Sequence, residues 1–263
     1  MSADTAGRTS TVIAALFDAV REVIVTHRVS YAEYDMAKRY LLDVSEAGEW
    51  PLFADVFFEA AVELIAGEGA TSSDTTIEGP YFLPGAAELE APYVMPMRDG
   101  EPGDRLVFAG TVTDDGGNPL GGAEIDMWQC DAEGTYADIP YPDGRVLPPP
   151  GNLRGRFRTD ADGRFEVRTI RPVPYEIPKA GPTGALLRAA GWHAYRPAHL
   201  HCIVSAPGSA SITTQLYLDG DPYLGSDVAG AVKPGLVLPL DKPTDAQPAW
   251  TTVYDFRLAP AHA

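Results

Sequence analysis

Hydrophobic residues recur at two different periods along this chain, and the change of period falls near Gly67. From Val12 to Ile24 they stand at Val12, Leu16, Val20, Val23 and Ile24, the three-to-four spacing of one helical face. Ser30-Tyr31-Ala32-Glu33 announces a second helix, because a serine N-cap and a glutamate three positions on satisfy two amide donors that the first turn leaves unpaired. Tyr34, Ala37, Leu41 and Val44 continue its stripe to a stop at Gly48. Pro51 suits the first residue of a third helix, where its missing N–H goes unneeded, and the pattern runs through Asp55, Phe58 and Leu64 to Gly67. Together the three predict a small helical layer whose apolar stripes must be buried against something.

Beyond Gly67 the period becomes two, with turn residues about every ten positions, the pattern of several antiparallel strands. Strands are predicted at Arg105–Thr113, Ala123–Gln129, Ala198–Ser205, Thr213–Leu218 and Thr251–Leu258. Asp162-Gly163 is a hairpin signal within Phe157–Ile170, and Arg164 to Ile170 alternates polar with apolar or β-branched residues. The 26 Gly and 24 Pro suit short strands joined by turns, so a sandwich or barrel is expected.

A formal charge of -17 with no run of Lys and Arg argues against duplex nucleic acid and anionic membranes as ligands. The N-terminal residues lack a long apolar stretch after a basic one, and no window of about 18 residues is apolar and uncharged, so the expected compartment is the cytoplasm. Cys130 and Cys202 lie in strand-like runs and are expected to be reduced and partly buried.

The sharpest chemical signal is Arg196-Pro197-Ala198-His199-Leu200-His201. In a strand, residues i and i+2 share a face, so His199 and His201 project together in chelate geometry, although two hydrogen-bonded structural histidines fit the same pattern. Two imidazoles leave a first-row metal short of ligands, and no carboxylate or thiolate stands out to complete the set. Tyr136, after Gly134-Thr135, and Tyr175, within Pro172-Val173-Pro174-Tyr175-Glu176, each sit in a turn-rich stretch just after a strand. A ferric ion can hold a phenolate despite a free phenol pKa of about 10.

In this order Tyr136, Tyr175, His199 and His201, with Arg196-Pro197-Ala198 before the histidines, resemble the ligand set of the intradiol ring-cleavage dioxygenases, catechol and chlorocatechol branch. The stretches Gly48–Leu52, Thr76–Phe82, Gly155-Arg156, Ile170–Gly184, Thr214–Tyr217 and Gly220–Tyr223 are similar to that branch in the same order, so the likeness covers about Val12 to Leu258. One departure is Trp128-Gln129-Cys130, where many catechol enzymes have Trp-His-Ala.

The resemblance implies a mainly β fold, an antiparallel β-sandwich catalytic domain over 76–263 behind an N-terminal α-helical dimerisation and linker region over 1–75. It implies one non-haem Fe(3+) per chain, held by Tyr136, Tyr175, His199 and His201, and intradiol cleavage of catechol or a substituted or chlorinated catechol by O2 to cis,cis-muconate. Tyr136 would stay bound while Tyr175 leaves the metal as substrate enters and takes a substrate proton. Arg196 would sit beside the substrate as a fixed cation and Gln215 behind it, with Leu52, Asp55, Val56, Ile77, Pro80 and Tyr81 as walls. A homodimer enclosing a lipid at its helical interface is also implied. Rival readings are a hydroxyquinol 1,2-dioxygenase, against which Gln215 argues where those enzymes tend to carry histidine; a non-catalytic transthyretin-like binding module; and a zinc hydrolase built on the two histidines. Tyr81 leans toward plain catechol and Ile170–Gly184 toward chlorocatechol.

Overall fold

The computed structural model describes residues 3–141 and 143–261, and the chain divides into two compact units, Met1–Gly48 and Glu49–Ala263. The first unit is α1 (Ala3–Thr26) followed by α2 (Tyr31–Glu46). The expected capping box forms: the Glu33 amide donates to Ser30 Oγ at 3.3 Å and the Ser30 amide to Glu33 Oε2 at 2.8 Å. Gly48, at φ +67, lets the chain turn away in a conformation that a side chain would strain. The stripe on α1 stays open in the single chain, with Leu16 54% and Val23 55% exposed.

The third helical stretch belongs to the second unit, and it is not one regular helix. It runs as α3 (Trp50–Ala54), a π-helical turn over Asp55–Glu59, and α4 (Ala60–Ala66), with Pro51 in the first turn. Such π turns recur at functional sites because the inserted residue re-aims its neighbours. Leu52, Val56 and Phe57 pack with Tyr81, Tyr136, Tyr175 and Ile177, which ties this stretch to the β domain.

The β domain contains β1 (Tyr93–Val94), β2 (Arg105–Asp114), β3 (Glu124–Trp128), β4 (Arg154–Arg158), β5 (Arg164–Ile170), β6 (Tyr175–Glu176), α5 (Pro182–Ala190), β7 (Tyr195–Arg196), β8 (His199–Ser205), β9 (Ile212–Leu218), β10 (Val237–Leu238), β11 (Trp250–Val253) and β12 (Phe256–Leu258). One sheet has the order β1-β5-β2-β11, with β12 also on β2, and the other β10-β9-β8-β3-β4. The central pairs of both sheets are antiparallel, as expected, whereas β1, β10, β11 and β12 join their neighbours in parallel. Between the sheets lies one core, Leu106, Phe108, Phe165 and Val167 from the first against Ile125, Met127, Phe157, Leu200 and Cys202 from the second.

Asp162-Gly163 makes a turn, with Gly163 at φ +73, but not a hairpin. Strands β4 and β5 lie in opposite sheets because Phe157 and Phe165 both point into the core, their rings 5.8 Å apart, so the turn carries the chain from one layer to the other. The run Thr251–Leu258, predicted as one strand, is broken at Tyr254 and Asp255. There Asp255 Oδ1 accepts from the Thr111 amide, and the Tyr254 carbonyl crosses Gly110 so closely that a Cβ would stand 1.8 Å from it.

Candidate metal centre and substrate cavity

Strand register brings the site together. On one face of the second sheet, Trp128 of β3 pairs with His201 of β8, which pairs with Gln215 of β9, while His199 pairs with Tyr217. Leu200 and Cys202 alternate to the other face and enter the core, so the two histidines share a face as the i, i+2 rule requires. Tyr175 comes from the short ribbon of β6 and β7, directly opposite Arg196. Tyr136 arrives on a loop held by a hydrogen bond from its own amide to Tyr141 Oη at 3.1 Å. Gly134, at φ +75, lets that loop run against Tyr175, where a Cβ would fall 2.7 Å from Tyr175 Cβ.

All four expected ligand side chains converge, each buried. Tyr136 Oη lies 3.1 Å from His201 Nε2 and 3.4 Å from His199 Nε2, and the two Nε2 atoms are 3.0 Å apart. The Tyr175 ring stands 5.5 Å from that of Tyr136 and 5.6 Å from that of His199. His199 Nδ1 faces the Pro197 carbonyl at 2.7 Å, and a carbonyl only accepts, so the proton sits on Nδ1 and the Nε2 lone pair points at its neighbours. Trp128 stacks flat on His201, centroids 4.6 Å apart at 11°.

The three donors Tyr136 Oη, His199 Nε2 and His201 Nε2 fit a shared first-row ion. With bonds of about 2.0–2.1 Å, neighbouring donors stand about 2.9 Å apart at right angles and about 3.5 Å apart at 120°, and the three separations above lie within that span. Burial, then the Arg196 cation, pulls His199 down to about 3, and burial, then His199 and Arg196, holds His201 well below its ordinary value, so both imidazoles are neutral donors. Burial and the neighbouring Tyr175 push the Tyr136 phenol far up, and burial raises Tyr175 against the opposing pull of Arg196. Ionising such phenols calls for a strong local cation. Among the described residues no three of His, Cys, Asp and Glu gather as ligands, and the groups beside the two imidazoles are the phenols of Tyr136 and Tyr175.

The expected substrate walls also meet. Leu52, Asp55, Val56, Ile77, Pro80, Tyr81 and Arg196 line one small, mostly apolar cavity, with Tyr175 and His201 also in its wall and Gly79, Ile177 and Ala229 completing it. Tyr81 stacks on Tyr136 at 4.6 Å. Burial raises the Asp55 and Glu59 carboxyls, and Glu59 Oε1 accepts from the Glu78 amide at 3.1 Å, tying the π turn to the segment that carries Ile77, Pro80 and Tyr81.

Arg196 is held from three sides. Nε donates to Asp227 Oδ1 at 3.1 Å, and Nη2 donates to Asp227 Oδ2 at 3.1 Å, Gln215 Oε1 at 2.7 Å and Tyr217 Oη at 3.2 Å. Gln215 in turn donates from Nε2 to the Ile77 carbonyl at 2.8 Å. Asp227 also accepts from the amides of Ala229 and Ala231. Burial raises its carboxyl, but Arg196 and these amides outweigh burial and hold it below the ordinary range. Sequence reasoning found neither Asp227 nor Tyr217. Tyr217 was reachable, since it alternates with Gln215 on a strand, while Asp227 sits in an irregular loop with no periodic signal.

A β-sandwich that buries two phenols and two imidazoles together beside a mostly apolar cavity has the donors for a first-row metal ion and a wall suited to a small aromatic molecule. Two family models cover the chain: "Catechol dioxygenase N terminus" over residues 7–74 and "Dioxygenase" over residues 77–260. Their junction lies beyond the division of the compact units at 48/49. A chlorocatechol 1,2-dioxygenase of Rhodococcus opacus is 44% identical over 93% of this chain and 94% of its own length. A hydroxyquinol 1,2-dioxygenase of a Rhizobium strain is 36% identical, covering 93% of this chain and 85% of its own. The crystal structure of a 3-chlorocatechol 1,2-dioxygenase from Rhodococcus opacus 1CP superposes with a TM-score of 0.90 at 51% identity, over 97% of this chain and 99% of the other. The chain therefore belongs to the intradiol ring-cleavage dioxygenases, catechol and chlorocatechol branch, and is an enzyme of intradiol catechol cleavage.

Proposed function

We propose that the chain cleaves catechol or a ring-substituted, including chlorinated, catechol with O2 to the corresponding cis,cis-muconate, using one ferric ion held by Tyr136, Tyr175, His199 and His201. The observation that carries this reading is that Tyr136 Oη, His199 Nε2 and His201 Nε2 meet at separations that suit one ion, with the Tyr175 ring beside them and Tyr175 and His201 in the wall of the cavity. When bound, ferric iron would supply a Lewis acid that stabilises the deprotonated catechol oxygens, and the loss of those protons is what leaves the ring electron-rich enough to react with dioxygen.

The chain's own groups do the rest. Tyr175, directly opposite Arg196, accepts a substrate hydroxyl proton at Oη. Arg196, turned by Asp227 and Gln215, presents a fixed cation to negative charge that develops on the ring, in a site where low polarity strengthens the effect. Leu52, Val56, Ile77, Pro80 and Tyr81 exclude water and limit the substituents that fit. Tyr136 stays in place because its amide and its stack with Tyr81 hold it.

The exposed apolar stripe of α1 supports a homodimer, in which we place the family's bound lipid at the helical interface. Among the described residues no helix is long and apolar enough to cross a membrane. We assign the protein to the cytoplasm, which two free, buried cysteines suit.

The test is oxygen uptake and muconate formation by iron-loaded protein offered catechol, 3-chlorocatechol, 4-methylcatechol and hydroxyquinol side by side. Turnover of the first three ahead of hydroxyquinol is expected. Turnover of hydroxyquinol alone would move the assignment to the rival dioxygenase, and no oxygen uptake with any of them would overturn it.

A further inference from the structure

Arg154 is a buried arginine without a carboxylate partner. It is 4% exposed, and none of the ion pairs among the described residues includes it. Its fork is spent on two carbonyls: Nη1 donates to Tyr81 O at 2.8 Å, while Nε and Nη2 donate to Ala137 O at 3.2 and 2.9 Å. These carbonyls belong to the two sides of the Tyr81–Tyr136 stack, since Ala137 follows Tyr136 directly.

Register places the same arginine in the row that carries the metal centre. Arg154 of β4 pairs with Trp128 of β3, which pairs with His201 of β8, so the three share one face of the sheet. The guanidinium carbon lies 6.0 Å from the Tyr136 ring centroid. A desolvated cation at that range acts on the π electrons of a phenol far more strongly than a surface charge does. Burial lowers the affinity of Arg154 for its proton, and the largest influence opposing that is Tyr136.

We propose that Arg154 is a positioning residue that sets the electron-donor strength of the Tyr136 phenolate: its buried cation stabilises that phenolate while its fork holds Tyr81 against the ring. The inference rests on the ferric reading of the site. A stabilised phenolate gives up an electron to the metal less readily, so the phenolate-to-iron absorption band lies at shorter wavelength with Arg154 than without it.

The experiment compares the visible spectra of the iron-loaded wild-type protein, Arg154→Gln and Arg154→Lys, with thermal melting of each. Arg154→Gln is expected to move the band to longer wavelength by tens of nanometres. Arg154→Lys keeps the charge and is expected to leave the band near its wild-type position, although both variants melt lower because neither makes the fork to Tyr81 and Ala137. Arg154→Met, which leaves no polar group to bury, replaces the glutamine variant if that one does not fold, with the same shift expected. An iron-loaded neutral variant whose band stays at the wild-type position overturns the proposal, and so does a lysine variant that shifts as far as the neutral one. A wild-type protein that binds iron yet shows no such band overturns the ferric-phenolate reading itself.

Discussion

Replacing Asp227 by asparagine preserves the shape of a buried ion pair while removing half of its charge. The guanidinium of Arg196 and the carboxylate of Asp227 are 5% and 2% exposed, and they meet through two N–H···O contacts of 3.1 Å. Breaking a buried pair by removing one partner costs about 3–5 kcal/mol, because the remaining charge is left without a counterion in a poorly polarisable setting. The amides of Ala229 and Ala231 donate to different carboxylate oxygens, so asparagine keeps an acceptor for one and turns an NH2 to the other; the full range of about 3–5 kcal/mol applies, and in a domain of this size that lowers Tm by about 6–20 °C. Differential scanning calorimetry of wild type, Asp227→Asn and the double variant Arg196→Met/Asp227→Leu reads this directly. Because well-packed apolar residues often replace a buried pair at no cost, the double variant is expected to melt closer to wild type than Asp227→Asn does. An Asp227→Asn protein melting within a degree or so of wild type, or a double variant melting well below it, would refute the reasoning.

Tyr175→Phe keeps the fold, since Tyr175 packs among Tyr81, Tyr136 and Ile177, but removes the proton acceptor at Oη; kcat should fall about 10²–10⁴-fold in steady-state assays while the circular dichroism spectrum is unchanged. Gly134→Ala drives a methyl to 2.7 Å from Tyr175 Cβ at a left-handed backbone position, so it should displace Tyr175 and lower both activity and Tm, whereas Gly122→Ala, left-handed but with open space around it, should lower Tm alone. Asp126 on β3 has its carboxyl lifted to about 6 by burial, against the opposing pull of Arg156. A carboxyl raised in the folded state from an unfolded value of about 3.9 makes stability fall as pH rises from about 4 to 6. Asp126→Asn should therefore raise Tm above pH 6 and flatten the profile below it, and an unchanged Tm at pH 7.5 would count against that assignment.

The periodic parts of this molecule were legible in its sequence. The capping box at Ser30 and the alternation on β5 and β8 are local rules written in local residues, and strand register alone turns His199-x-His201 into a shared face. What escaped depends on where the chain goes between elements. The Asp162-Gly163 turn is the same dipeptide whether it closes a hairpin or crosses between sheets, and only the destinations of Phe157 and Phe165 decide. The π turn at Asp55 carries no spacing signature of its own. Tyr136 stands on a loop and Tyr175 on a strand of two residues, too short to show a period, so resemblance to known enzymes and not periodicity singled them out. Asp227 and Arg154 were missed for the same reason: a buried charge and its partners are a property of the folded interior, and neither residue type nor spacing announces it.

The central claim is that Tyr136, Tyr175, His199 and His201 hold one iron. Anomalous diffraction at the iron edge from crystals of the protein purified with its metal tests it most directly. The account predicts a single iron peak per chain, about 2 Å from Tyr136 Oη, Tyr175 Oη, His199 Nε2 and His201 Nε2, as first-row ions bind such donors. A peak that any of these four side chains fails to reach, or iron located elsewhere in the chain, would contradict it.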